Sequence, residues 1–259
     1  MELPIFAYNG VSITKAEGFK MKKKWILGLI VVATLLWITG CSQIVAGKEN
    51  HKNILVKQDK AKQIDVILNA GIGQLNVYGG ANEWVEGEAT YNSEDLKPKV
   101  KYKLTGKKGK VTIDQSKKDL SITKLNNIKS VWDLELTDEI PINLEINTGA
   151  SETYLDLQGL QLSNLDIHAG VGDITVDLSG NWKESFDVDL EIGVGQSTII
   201  LPKDVGVKIK SSKGIGQSNF VGFISEGNGV YVNQAFKDAD VKITVNTDLG
   251  VGQSNFELE

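Results

Sequence analysis

Gly214-Ile215-Gly216-Gln217-Ser218-Asn219 returns 36 residues later as Gly250-Val251-Gly252-Gln253-Ser254-Asn255. Working outward, Gly-apolar-Gly also stands at Gly71-Ile72-Gly73, Gly170-Val171-Gly172 and Gly193-Val194-Gly195. Gln74 and Gln196-Ser197 continue the pattern, Asp173 replaces the glutamine in one copy, and Thr148-Gly149-Ala150-Ser151 is a degenerate relative. From Gly149 the corners lie 21, 23, 21 and 36 residues apart, a period of the kind that marks a repeat architecture. The longest gap holds an insertion around residues 226–240.

Alternating apolar residues precede each corner: Val66 and Leu68; Ile142, Leu144 and Ile146; Leu165 and Ile167; Val188, Leu190 and Ile192; Val207 and Ile209; Val241, Ile243 and Val245. Period-two alternation predicts half-buried strands, with Asp189, Glu191, Lys208 and Lys242 on the wet side. The distances from the first apolar residue of each run to its corner glycine are all odd, so every run keeps the same face inside. A second short strand is expected after each corner, as in Ile174, Val176 and Leu178. A strand–glycine corner–strand unit cannot bury its apolar face alone and must stack on its own copies. The expected fold is therefore all-β: a solenoid-like stack with structural corners at Gly71, Gly73, Gly170, Gly172, Gly193, Gly195, Gly214, Gly216, Gly250 and Gly252. Glycine suits such corners because it takes positive φ and lets backbones approach. The recurring Gln and Ser are expected to line up as polar ladders along the stack.

The N-terminal region reads differently. Met21 is followed by Lys22, Lys23 and Lys24 and then by an uncharged run from Trp25 to Ile38. A basic region followed by a short apolar run is the layout of a secretory signal, and the run is shorter than the roughly 20 residues a helix needs to span a bilayer. Ile38-Thr39-Gly40-Cys41 resembles a bacterial lipobox, which implies cleavage between Gly40 and Cys41 and lipidation of Cys41. Two acyl chains there would hold the protein on the outer face of the cell membrane. The expected organisation is an over-extended start at 1–20, a lipoprotein signal peptide at 21–40, a tether at 41–62 and a β domain at 63–259. Sub-layers of that domain are expected at about 64–120 and 130–259.

Composition narrows the chemistry. The 259 residues carry 28 basic and 33 acidic side chains, and every basic one is lysine. Without the bidentate guanidinium fork, specific nucleic-acid binding is not expected. One cysteine builds neither an internal disulfide nor a thiolate metal centre, and no cofactor or metal is expected. His51 falls in the tether, while His168 lies near a corner with no Gly-x-Ser-x-Gly elbow in the chain. Asp173, Asp177, Asp187 and Asp189 lack calcium-loop spacing. The Gly-x-Gly corners repeat and lead into strands, so they are not phosphate loops. Trp84, Trp132 and Trp182 read as core residues or end caps, with a sugar-stacking platform as the alternative.

One charged segment departs from the acidic whole. Residues 97–118 hold nine lysines and one acid, in a chain of net charge −5. Lys97, Lys99, Lys101 and Lys103 alternate, which places them on one face of a strand opposite Val100, Tyr102 and Leu104. They are the candidate anionic-surface binding residues, for lipid headgroups or wall polymer. The competing reading is a strand edge guarded by lysines against aggregation.

The stretches Gly71-Ile72-Gly73-Gln74-Leu75-Asn76-Val77, Lys97-Pro98-Lys99-Val100, Trp132-Asp133-Leu134-Glu135-Leu136, Ile140-Pro141, Thr148-Gly149-Ala150 and Leu155-Asp156-Leu157-Gln158-Gly159-Leu160 resemble the toast-rack domain family of bacterial cell-envelope proteins. The resemblance covers most of residues 64–259 and implies strands stacked like slices in a rack. It also implies kinship with adhesin-like proteins and with membrane-anchored antibiotic-stress proteins. These motifs are structural glycines and leucines, so they carry a fold better than a function. The expectation is a non-enzymatic, membrane-anchored surface lipoprotein acting as an envelope scaffold or stress-associated binding module. Its partner would be anionic lipid, a wall polymer or an envelope protein. The alternative is an adhesin or glycan-binding surface protein.

Overall fold

The computed structural model describes residues 48–115 and 128–259. The strands are β1 (Asn50–Val56), β2 (Gln63–Gly79), β3 (Val85–Tyr91), β4 (Pro98–Thr105), β5 (Lys108–Gln115), β6 (Ser130–Leu136), β7 (Ile142–Asp156), β8 (Leu162–Asp177), β9 (Phe186–Leu201), β10 (Gly206–Phe220), β11 (Ile224–Gly227), β12 (Val230–Val232) and β13 (Lys242–Leu258). They form one open sheet in the order β1-β3-β6-β2-β7-β8-β9-β13-β10-β12-β11, with the β4–β5 hairpin joined to β2 through β5.

Each glycine corner lies inside one long strand rather than between two. In β8, Leu165, Ile167 and Ala169 are buried before the corner and Ile174 and Val176 after it. The buried positions thus switch from odd to even across the corner, and both arms of the strand feed one apolar core. The six corner-bearing strands run parallel and in register, so Leu68, Ile146, Ile167 and Leu190 form a buried file across four of them. Burying each such side chain is worth about 1.5–3 kcal/mol, which a single strand could not collect alone.

The two glycines of a corner do different work. Gly195 has a φ of +151°, and a Cβ built on it would sit 1.8 Å from the Gly172 carbonyl oxygen. Gly193 has no positive φ, yet its Cβ would lie 2.5 Å from the Gly170 oxygen. One position therefore needs both the unusual backbone and the space, while the other needs only the space. The same contacts recur from rung to rung, with Gly252 over Gly195 and Gly216 over Gly252. The degenerate corner keeps Gly149, and Ser151 there is not at positive φ.

Spatial order departs from chain order at one place. After β10 the chain makes the β11–β12 hairpin and a 3₁₀ turn at Gln234–Lys237, and β13 then inserts between β9 and β10. The 36-residue gap is the length of that crossover. Phe256 is fully buried where β13 lies between its neighbours, and its ring stacks on Phe220 at 4.9 Å.

The expected tether at 41–62 needs correction. Asn50–Val56 pairs antiparallel with β3 along all seven residues, because Ile54 and Val56 reach the core. The described residues all fall in one unit. The over-extended start, signal peptide, Gly40 and Cys41 all lie outside the described residues.

Candidate functional site

The β4–β5 hairpin carries the lysines. Lys99, Lys101 and Lys103 are exposed along β4, while Val100, Tyr102 and Leu104 pack inward on the core. Antiparallel register puts Lys99 opposite Asp114, Lys101 opposite Thr112 and Lys103 opposite Lys110, all on the outer face. Lys108 and Lys110 of β5 therefore join Lys99, Lys101 and Lys103 on the same face, making five lysines where the sequence alternation named four, Lys97 among them. Lys97 does not join them. It caps the 3₁₀ turn at Glu94–Leu96, ahead of β4, and its Nζ bonds Glu94 at 3.1 Å. That pairing, chiefly the hydrogen bond to Glu94, pushes the Lys97 ammonium above its usual pKa.

Two acids temper the patch. Lys101 Nζ lies 3.1 Å from Asp114 and Lys108 Nζ 2.9 Å from Asp65. Among the described residues, Lys103 and Lys110 have no acid within ion-pair distance, although they sit directly opposite each other. Like charges opposed across a ladder repel, so this pair favours an anion between or above them.

The hairpin is held in place from beneath. Tyr102 donates its hydroxyl to Asp59 Oδ2 at 2.7 Å, Trp84 Nε1 donates to Asp59 Oδ1 at 3.3 Å, and Ala61 N donates to the same oxygen at 2.9 Å. Burial works to raise the Asp59 pKa, but these three bonds outweigh it and hold the carboxyl below its ordinary range. Burial and then the bond to Asp59 push the Tyr102 phenol up to about 12. The sequence pattern did not single out Asp59, and its lone position between lysines offers no signal.

A second cluster surrounds His168. With Asp166, Asp189, Glu191, Lys210 and Asp248 it lines a shallow groove of about 560 Å³ on the polar side of the pre-corner arms. His168 Nδ1 lies 3.1 Å from Glu191; of the two hydroxyl residues lining the groove, Ser212 bonds Asp248 instead of the imidazole, and Thr247 Oγ1 is buried with no hydrogen-bond partner among the described residues. No activated nucleophile results. Among the described residues no group of three or more His, Cys, Asp or Glu is placed to hold a metal ion. His51 is part of β1 and meets Glu88 at 2.9 Å. Trp84, Trp132 and Trp182 are all buried, so none presents a face for a sugar.

The polar ladders are real, but their chemistry is shared unevenly. Ser197 donates to Ser254 at 2.8 Å and Asn219 to Asn255 at 2.8 Å across rungs. Gln74 and Gln253 instead bond along their own strands, to Asn76 and Asn255. At the first rung a residue that the repeat does not mark closes the ladder. Gln115 accepts from Ile72 N at 2.8 Å and donates to Ile72 O at 3.1 Å and to Ser130 Oγ at 2.8 Å, filling the place of a further strand.

A family profile described as the N-terminal domain of toast-rack matches residues 45–200. The chain belongs to the toast-rack family. A second profile, the C-terminal part of the cell wall-active antibiotics response protein LiaF, matches residues 150–255 of this toast-rack chain. Among solved structures, a candidate cell adhesion protein from Clostridium sporogenes is 34% identical with a TM-score of 0.80, over 82% of this chain and all of that one. Candidate adhesins from Bacteroides fragilis (11% identical, TM-score 0.27, 80% of this chain and 97% of that one) and Parabacteroides merdae (12%, 0.26, 82% and 97%) are more distant. No curated protein matches the sequence. Among the described residues no helix is long and apolar enough to cross a membrane.

Proposed function

We propose that this toast-rack chain is a non-enzymatic, membrane-anchored module of the cell envelope whose β4–β5 hairpin rests on an anionic surface. The observation that carries the reading is the Lys103–Lys110 pair within a face of five lysines, in a protein of net charge −5. Lysines along β4, which pairs only with β5, also guard that edge, but Lys108 and Lys110 face outward from a strand paired on both sides, and attraction to an anionic surface is worth up to about 1 kcal/mol per nearby lysine. β1, the first described strand, lies at the same end of the sheet as the patch, where Lys52 Nζ bonds the Pro98 carbonyl at 2.7 Å. The surface is headgroup or wall polymer, which share phosphate and carboxylate chemistry. Kinship with the LiaF C-terminal region supports a role in the response to wall damage.

The test is sedimentation of residues 42–259 with anionic vesicles and with isolated cell wall over a salt series. Binding that weakens with salt and disappears when Lys99, Lys103 and Lys110 become glutamine is expected. Equal binding by the triple variant would end the proposal. A second reading, an adhesin, is favoured by the Clostridium protein, which this chain matches over that protein's full length. It predicts retention on host glycan or matrix surfaces that survives the lysine changes.

A further inference from the structure

The outer face of the sheet changes character beyond the corners. There the arms of β6, β2, β7 and β8 carry Asp133, Glu135, Glu152, Asp156, Asp173 and Asp177 and no lysine. Amid these acids stand Tyr78 and Tyr154, 36% and 39% exposed, while every other tyrosine, tryptophan and phenylalanine among the described residues is more covered. Their ring centroids lie 6.0 Å apart with the planes tilted by 50°. Register builds the group. Tyr78 sits opposite Glu135 on one side and Asp156 on the other, and Asp156 sits opposite Asp177, so one row crosses four strands. Tyr154 comes two residues before Asp156 and shares its face. Burial first, and then the charges of Asp156 and Asp177, raise the Tyr154 phenol above its ordinary pKa, so both carboxylates are within electrostatic reach of the ring. Gln158 Nε2 donates to Asp177 at 3.0 Å, and among the described residues no lysine pairs with Glu135, Asp156 or Asp177.

We propose that Tyr78, Tyr154 and Asp156 bind a small soluble quaternary ammonium compound of choline size, with Asp177 adding its charge. The face of each ring is the negative part of its quadrupole and attracts a cation, the interaction by which aromatic side chains recognise quaternary ammonium ligands. Asp156 and Asp177, opposed across the ladder, repel one another, and a cation against them removes that cost. Other occupants fit less well. Rings tilted by 50° offer no flat platform for a sugar. A metal ion needs clustered ligands, and among the described residues no group of three or more His, Cys, Asp or Glu is placed to hold one. A lipid headgroup brings its phosphate, which these carboxylates repel with no lysine on the same arms to offset them. A primary ammonium is strongly hydrated, so at a half-open site a methylated one gives up less water.

Fluorine NMR of the full chain in non-ionic detergent, with fluorotyrosine in place of tyrosine, tests this by titration with choline. Tyr78→Phe and Tyr154→Phe assign the two resonances. Choline is expected to shift both and to leave Tyr231 in place, with half-saturation at a roughly millimolar concentration. Read at Tyr78, Tyr154→Phe should bind as the parent does, because the ring face and not the hydroxyl holds the cation. Tyr154→Leu should weaken binding roughly fivefold and Asp156→Asn roughly threefold. The thermal midpoint of each variant, taken on the same sample, separates lost binding from lost folding, and Asp156→Asn carries the test if Tyr154→Leu unfolds. Dimethylbutanol, the neutral carbon isostere of choline, should shift neither resonance, and phosphocholine should bind more weakly than choline. No shift with choline, or an equal response to the neutral isostere, would overturn the site. Equal affinity for phosphocholine would overturn the soluble cation in favour of a headgroup, and shifts with N-acetylglucosamine but not choline would overturn it in favour of a sugar.

Discussion

Replacing Gly195 by alanine is the sharpest probe of the corner. The added Cβ must occupy a point 1.8 Å from the Gly172 oxygen and 2.8 Å from its carbonyl carbon, at a φ of +151°. The backbone conformation alone costs about 1–2 kcal/mol for an L-residue. Relief of the clash requires β8 and β9 to separate by about 1 Å at the corner, which lengthens the ladder bonds on either side. Losing two to three of them adds roughly 2–3 kcal/mol at about 1 kcal/mol each. The total of about 3–5 kcal/mol is a large part of the 5–15 kcal/mol that holds a typical domain together. At about 2–4 °C per kcal/mol for a chain of this size, the thermal midpoint should fall by at least about 6 °C. Gly106→Ala is the control: Gly106 has φ +64° and nothing within 4 Å of its would-be Cβ, so it gives the cost of a side chain at positive φ without a clash. Thermal and urea unfolding followed by circular dichroism reads both. If Gly195→Ala unfolds within about 1 kcal/mol of Gly106→Ala, the close approach is not what demands glycine and the corner argument fails.

Three further outcomes are expected. Gln115→Leu strands the Ile72 amide and carbonyl, costing about 1–3 kcal/mol and raising hydrogen exchange at Ile72, and unchanged exchange there would contradict the cap. Asn233, buried, donates to the Val205 carbonyl at 2.7 Å and accepts from Val207 N at 2.9 Å. Its change to alanine should cost roughly 2–3 kcal/mol in urea unfolding, and a loss under 0.5 kcal/mol would show that water replaces those bonds. The lowered Asp59 pKa contributes stability that is complete above the ordinary carboxyl value of 3.8 and fades as pH falls through the lowered one. The raised Tyr102 pKa contributes below 10.0, and that contribution is lost as pH climbs toward about 12. Phenolate absorbance should show Tyr102 titrating late, alongside Tyr154, which burial also raises, and in Asp59→Ala the Tyr102 component should move back toward 10.0; no change in that variant would refute the coupling.

Repeat spacing and alternation made the core legible before any coordinates, because burial, period two and glycine corners each leave a mark on sequence. β1 left almost none. Its seven residues offer two core-facing side chains, Ile54 and Val56, and it owes its form to β3 rather than to its own pattern. The place of β13 was equally silent, since the corners of β9, β10 and β13 are nearly interchangeable in sequence and only the full set of neighbours distinguishes them. Of the candidate site, the β4 lysines were readable from alternation, while Lys108 and Lys110 join them through a cross-strand register that sequence does not display. Lys97 shares the spacing of its neighbours and yet belongs to a turn, because Pro98 begins the strand after it.

The insertion of β13 also dictates when the molecule can be finished. A stack whose rungs followed chain order could close one rung at a time as it left the ribosome or the export channel. Here β9 and β10 must remain unmated until the seventeen residues of β13 arrive to wedge between them. Any product that stops before Lys242 carries two unsatisfied edges at once, so β13 acts as a check that the rack is whole. Proteases that survey unfinished chains would find such truncations open at the middle rather than frayed at the end.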